Sequence, residues 1–461
     1  MKKLSPRRRL ERNWILYDVG NSAFTLLIST IMPIYFNYLA GEGGIDATTA
    51  TAYWGYAASI VTLCVAILGP TLGTLSDFSG YKRPIFFFFA IAGVLGCAAL
   101  GIPMPWLVFL VVFILTKIFY SASLVFYDSM LVDVTTHERA DDVSSKGYAW
   151  GYIGSCIPFI ISIVIVQFTP LNIAVSMPIA LAINALWWFG FTIPLMKSYR
   201  QTHFVPRTPH AVRDNFKRLF SVFSKKSDVQ NKKGIILFLV AFFLYIDGVY
   251  TIIDMATSFG TALGFDSTNL LLALLLTQVI AFPSAIVFGK LTGKVRNDVL
   301  ILVCIVAYTG IGLFAVFMTE VWQFWTLATA VGLFQGGVQA LSRSYFAKII
   351  PADQSGCLFG ILDIFGKGAA FLGTLLVSVV TQATDSVNLG AIPIVCLFAA
   401  GIAVFVVAAR VNRPYLAKQA ADDAAAAANA PLADPAAEDG AEGEAAAAED
   451  TPAADDDGVS D

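Results

Sequence analysis

Two charges in this chain stand where charge is least tolerable. Lys117 and Asp247 each fall about halfway along a long apolar run, and an ionisable group at such a depth faces a partner or a cavity. The pair is expected either to neutralise itself or to hold the two charged ends of a zwitterion. Other polar residues join them at helical spacing. Asp18, Asn21, Ser22, Thr25 and Ser29 fall on one helical face, as do Lys117, Tyr120, Ser121 and Asp128. Asp247, Tyr250, Thr251 and Asp254 form a third stripe, and Gln335, Gln339, Ser342 and Arg343 a fourth. Such stripes suit the wall of a wettable cavity that binds a small polar solute. Asp363 and Lys367, an i, i+4 pair, read equally well as a self-satisfied ion pair or as part of that cavity.

The elements that must carry these stripes are membrane helices. The chain is 57% hydrophobic and 14% charged, with mean hydropathy +0.70, outside the range of water-soluble domains. A span needs roughly 20 apolar residues, and twelve segments qualify. They are Trp14–Leu39, Tyr53–Leu75, Ile85–Ile102, Trp106–Tyr127, Tyr148–Phe168, Ile173–Leu195, Gly234–Thr257, Leu270–Phe288, Val299–Phe317, Trp322–Ser342, Phe359–Val380 and Ala391–Ala409. The stripes thus fall on the first, fourth, seventh and tenth. The expected fold is all-α and integral to the membrane. Of the 30 Lys and Arg residues, 28 lie in the terminal segments and alternate connections, and the other two, Lys117 and Lys367, lie inside spans. The positive-inside rule then places both termini in the cytoplasm.

The chain is expected to divide into a six-helix half (1–196), a basic linker (197–233), a second six-helix half (234–416) and an acidic Ala-rich tail (417–461) too polar to order itself. The linker's cations suit topology and lipid contact rather than nucleic acid. The six cysteines lie in or beside apolar runs and are expected to be reduced and structural. The three histidines (His137, His203, His210) all lie in polar connections. With no HExxH, GxSxG or phosphate-binding loop, the sequence points to no enzyme, metal site or cofactor.

One connection is distinctive: Gly73-Thr-Leu-Ser-Asp77-Phe-Ser-Gly80-Tyr-Lys82-Arg83. It resembles the loop between the second and third helices of the major facilitator superfamily (MFS), departing at Phe78, where that family usually has Arg or Lys. The resemblance implies two six-helix halves and a gating role for Gly73, Asp77, Gly80, Lys82 and Arg83. It also implies that the acid docks at the start of the eleventh helix, here Gln354-Ser355-Gly356. A weak second copy, Gly289-Lys-Leu-Thr-Gly293, follows the eighth segment with glycine in place of the acid, so the charge latch is expected to be one-sided. Trp14-Ile-Leu-Tyr17-Asp18-Val-Gly-Asn21-Ser22, Phe126-Tyr127-Asp128, Tyr245-Ile-Asp247-Gly248 and Gln335-Gly336-Gly337-Val-Gln339-Ala-Leu-Ser342-Arg343 are similar to signatures of the vacuole effluxer-like family within that superfamily.

The family resemblance implies a secondary transporter working by alternating access, with amino-acid efflux as the expected activity. Asp18, Asn21, Ser22, Thr25, Lys117, Tyr120, Asp128, Asp247, Thr251, Gln335, Gln339 and Arg343 are the candidate cavity residues. Asp18, Asp247, Asp363 and Lys367 are candidates for coupling to protons. The alternatives are a proton-coupled permease or exporter for a peptide, osmolyte, organic ion or drug, and a non-transporting receptor. The expected setting is a bacterial cytoplasmic membrane, or a vacuolar one in a eukaryote, with the protein working as a monomer.

Overall fold

The computed structural model describes residues 5–206 and 230–429. The rest of the basic linker, with His210, and the chain beyond Asn429 lie outside the described residues. Those described are almost wholly helical. The long helices are α1 (Pro6–Glu42), α2 (Ala47–Ser76), α3 (Lys82–Ala99), α4 (Trp106–Ser129), α5 (Ala140–Phe168) and α6 (Ile173–Ser198). After the linker come α7 (Lys232–Ala262), α8 (Ser267–Leu291), α9 (Asn297–Val316), α10 (Val321–Ile349), α11 (Ser355–Thr384) and α12 (Ile392–Asn429). A single helical turn, Leu131–Val134, follows α4.

Ten of the described helical stretches are long and apolar enough to cross a membrane. Neither α10 nor α11 meets that measure. The polar stripe Gln335, Gln339 and Arg343 dilutes α10, and in α11 the continuous apolar stretch among the described residues is Leu372–Thr384. Large apolar side chains such as Leu63, Leu95 and Leu186 are exposed on the outer surface, as suits a bundle whose solvent is lipid.

Local chemistry sets the helix ends. Ser5 accepts from the Arg8 N–H ahead of Pro6 at the start of α1, Asp46 caps α2, and Asn172 caps α6. The α1–α2 turn is built like the α7–α8 turn. Gly44 and Gly264 both have positive φ (78° and 82°). Ile45 N–H donates to Ala40 O at 2.9 Å and Phe265 N–H to Gly260 O at 3.0 Å, the six-to-one bond of a Schellman ending. An aspartate follows each, Asp46 and Asp266, whose carboxylate accepts from the backbone three residues on. This repeat is clearer than the one between Gly73–Asp77 and Gly289–Gly293.

Glycines let certain helices touch backbone to backbone. On α5, Gly147, Gly151 and Gly154 face Asp18, Ser22 and Val19 of α1, the small-residue spacing that brings membrane helices close. On α2 and α11, Gly69 meets Gly360 and Gly73 meets Gly356. The chain divides into two units, Met1–Arg413 and Pro414–Asp461. In the second, helix continues from Pro414 to Asn429, into the stretch that composition assigned to a disordered tail. The expectation weighed the lack of buriable surface; the alanines there favour helix without burial.

A Cβ at Gly360 would lie 2.5 Å from Gly69 O and 2.8 Å from Pro70 Cα. Gly360→Val is therefore expected to destabilise the bundle by about 1–3 kcal/mol, read as a lower melting temperature in detergent. An unchanged melting temperature would contradict the close α2–α11 approach.

Candidate functional site

The start of α11 lacks a cap of its own: Gln354, its N-cap residue, makes no side-chain cap hydrogen bond. The first N–H groups of a helix need acceptors, and these come from α2. Gly356 N–H donates to Asp77 Oδ1 at 2.7 Å and Cys357 N–H to Asp77 Oδ2 at 3.0 Å, all buried. The expected docking of Asp77 on this turn is what the geometry shows. Lys82, fully buried, donates to Ser355 Oγ at 2.8 Å and lies 3.7 Å from Asp133 Oδ2. Gly80 takes a positive φ of 77°, which turns the chain into α3. Arg83 donates through Nε and Nη2 to Met196 O, closing the end of α6.

Phe78, the departure from the familiar loop pattern, is buried and forms a parallel backbone bridge with Val205. Val205 N–H donates to Asp77 O at 2.8 Å and Ser79 N–H to Val205 O at 3.1 Å. The first residues of the linker therefore strap down the loop. Asp133 anchors the strap through Tyr199 Oη (2.5 Å), Thr202 and His203. Burial and the Asp133 carboxylate push the Tyr199 phenol well above its usual range.

The α8 turn packs on α5 as the α2 turn packs on α11. A Cβ at Gly289 would meet Ser145 Cβ at 2.6 Å. Gly293 leaves no acid here, but Asp141 in the first turn of α5 supplies one. It pairs with Lys348 of α10 and accepts from Asn297 Nδ2 of α9 at 2.6 Å. A charged tie thus occurs on this side as well, where the sequence led to the expectation of one on the other side alone. Asp141, Asn297 and Lys348 were missed because they lie outside any repeated motif.

Deeper in the bundle, Arg343 of α10 is buried among side chains of α1, α4 and α5. Its Nη1 lies 2.9 Å from Asp128 Oδ1 and its Nη2 lies 3.5 Å from Asp18 Oδ2. Nε donates to Ser144 Oγ at 2.9 Å and Nη2 to Ser144 O at 3.0 Å. The guanidinium also lies 4.2 Å from the Tyr148 ring, 4.6 Å from Trp14 and 5.6 Å from Tyr127. The structure thus places Arg343 in a tie between segments rather than on an open wall.

The other candidates group around it. Asn21 is buried and donates to Tyr17 O of its own helix at 2.8 Å, and Ser22 faces Gly151. Thr25, exposed, bonds the Tyr120 hydroxyl. Gln339 accepts from Tyr152 Oη at 2.7 Å, and Gln335 is buried beside it. Asp247 takes its hydrogen bonds from Gly373 N–H (2.8 Å) and Thr251 Oγ1 (3.3 Å), and no ion pair joins it to Lys117 among the described residues. Lys117 of α4 lies 5.9 Å from the Phe113 ring. A Cβ at Gly366 of α11 would lie 3.8 Å from Tyr250 Cε2 of α7. The side chain of Lys367 lies outside the described residues.

A helical membrane bundle with charges of both signs gathered inside it, and with polar ties at one end, is the architecture of a membrane transporter. Solved structures share this fold. The human organic anion transporter MFSD10 (TETRAN) superposes with TM-score 0.68 at 13% identity, covering 87% of this chain and 100% of that one. The MFS transporter FucP, in an outward conformation, gives 0.65 at 13% identity, covering 88% and 99%. The chain belongs to the family described as vacuole effluxer Atg22 like, which it matches over residues 43–137 and 132–414. It is 41% identical over 402 residues to the Bacillus subtilis (strain 168) uncharacterized MFS-type transporter YxiO, covering 86% of this chain and 93% of that protein. It is 28% identical to autophagy-related protein 22-1 of Aspergillus niger, over 52% of this chain and 42% of that protein. Its homologues and structural neighbours are transporters, not enzymes.

Cys357 is 2% exposed beneath the Asp77 cap, so its thiol reports whether the turn is covered. Removing a buried carboxylate at a helix N-terminus costs up to about 2 kcal/mol. Asp77→Ala is therefore expected to speed maleimide labelling of Cys357 by roughly 5- to 30-fold, read by peptide mass spectrometry. Unchanged labelling would show that the cap does not hold the turn shut.

Proposed function

We propose that this protein is a secondary transporter that moves a small zwitterionic solute, amino acids in the first instance, out of the cytoplasm by alternating access. In this reading it has twelve spans in two six-helix halves, 1–196 and 234–416, with both termini and the basic end of the bundle cytoplasmic. The ties at Asp77 and Asp141 then close the cytoplasmic side, and the described state faces outward. Solute binds between the halves and their rocking exposes it to either side. The relative from Bacillus subtilis supports a cell membrane, and the family's description supports a vacuolar one for eukaryotic members.

The observation that carries the reading is charge of both signs inside the bundle: Arg343 between Asp18 and Asp128, and Asp247 fully buried on α7. A zwitterion needs both charge signs at once, and the interior offers both. The fold alone does not select the solute, since its solved neighbours include transporters named for an organic anion and for xylose. Proton coupling is a second reading, carried by the fully buried Asp247, whose Oδ2 accepts no hydrogen bond among the described residues. A carboxyl so placed is a candidate to carry a proton across the cycle.

Counterflow of labelled amino acids in proteoliposomes tests the function without a driving force. Saturable exchange is expected, reduced at least about tenfold, or some 1.4 kcal/mol, in Lys117→Gln. Absence of exchange for every amino acid overturns the substrate reading. If an imposed pH gradient leaves net uptake unchanged in wild type, proton coupling falls and a uniporter stands.

A further inference from the structure

Arg343 occupies a seat built for a cation by residues far from it in the chain. Asp18 and Trp14 come from α1, Tyr127 and Asp128 from α4, and Ser144 and Tyr148 from α5. Trp14 and Tyr127 are stacked at 4.4 Å, so the seat is preformed on its aromatic side. Gly147 supplies the room, since a Cβ there would fall 2.8 Å from Asp18 Oδ2 and 3.0 Å from Arg343 Nη2. Asp18 is buried, with the guanidinium 3.5 Å from its Oδ2, farther than the 2.9 Å contact with Asp128. The seat therefore holds Arg343 less closely on its Asp18 side.

We infer that this seat is the binding site for the ammonium or guanidinium group of the transported solute, and that Arg343 is its built-in competitor. The inference rests on the proposed alternating access, because the seat belongs to the first half and Arg343 to the second. Opening the basic end withdraws Arg343 and leaves two buried carboxylates uncompensated, which is strongly unfavourable. A solute cation restores the balance through the same contacts, two carboxylates and the faces of three aromatic rings. Solute and Arg343 then take turns in one seat, so closure of the basic end returns Arg343 to the seat and drives the solute's cationic group out of it, toward the opposite, open side. The aromatic faces favour a primary ammonium or guanidinium over an anion, which narrows the solute class.

Competition sets the size of the effect. If Arg343 fills the seat in nine of ten molecules, its removal tightens apparent binding about tenfold. Calorimetry on the purified full-length protein tests this with ethylammonium and ethylguanidinium as probes. The expected result is saturable binding at least about tenfold tighter in Arg343→Ala than in wild type, lost again when Asp128→Asn is added. Equal affinity in wild type and Arg343→Ala, or binding that survives Asp128→Asn, overturns the inference. If Arg343→Ala does not fold, Arg343→Lys replaces it, with a smaller gain expected and no gain overturning the inference. Amino-acid exchange by wild type is scored separately. Exchange without probe binding removes only the seat, and probe binding without exchange removes only the amino-acid reading.

Discussion

The first turn of α11 begins inside the protein, without a cap of its own, and its N–H groups must find acceptors. Asp77 supplies both oxygens from the end of α2. This is possible because Gly73 and Gly356 bring two backbones into contact, as Gly69 and Gly360 do one turn deeper. A side chain at Gly73, Gly356 or Gly360 would hold the two helices apart and leave the carboxylate short of its donors. The positions of Lys82, Ser355 and Asp133 follow from that contact.

The ties at this end are polar and few, and several partners have alternatives close by. Besides Ser355, Lys82 has Asp133 of its own segment; Asp133 in turn is held by Tyr199, Thr202 and His203. A contact whose members keep other bonds separates at small cost, whereas an extended apolar seam would not. Arg343 is not of this kind, because its removal strands Asp18 and Asp128, and neither is the buried Asp141, whose partners Lys348 and Asn297 both lie across from it.

Much of this was legible in the sequence. Apolar run lengths located the helices, and the Gly73–Arg83 pattern located the turn and its docking place. Of the stripes on α1, α4, α7 and α10, Asp18, Asn21, Ser121, Asp247, Thr251, Gln335, Ser342 and Arg343 are buried, whereas Thr25, Ser29 and Asp254 are exposed. Long-range pairing was not legible. Nothing in the local pattern joins Asp141 to Lys348, seats Arg343 between Asp18 and Asp128, or gives Asp247 to Gly373 instead of Lys117, because periodicity fixes a face and not the neighbour across from it. The Phe78 departure looked like a lost charge and is a buried anchor for the linker strap. The helical run to Asn429 was missed because alanine propensity needs no buried face.

The central claim is that the basic end is held shut by Asp77 and Asp141 acting across the two segments. Distances between spin labels test it most directly. One pair goes at the exposed Glu138 and Lys294, beside the ties, and another at the exposed Glu42 and Thr261, in the turns at the far ends of α1 and α7. In Asp77→Ala/Asp141→Ala, the Glu138–Lys294 distance is predicted to lengthen and the Glu42–Thr261 distance to shorten relative to wild type. Identical distributions in both proteins, or both distances moving in the same sense, would contradict the account.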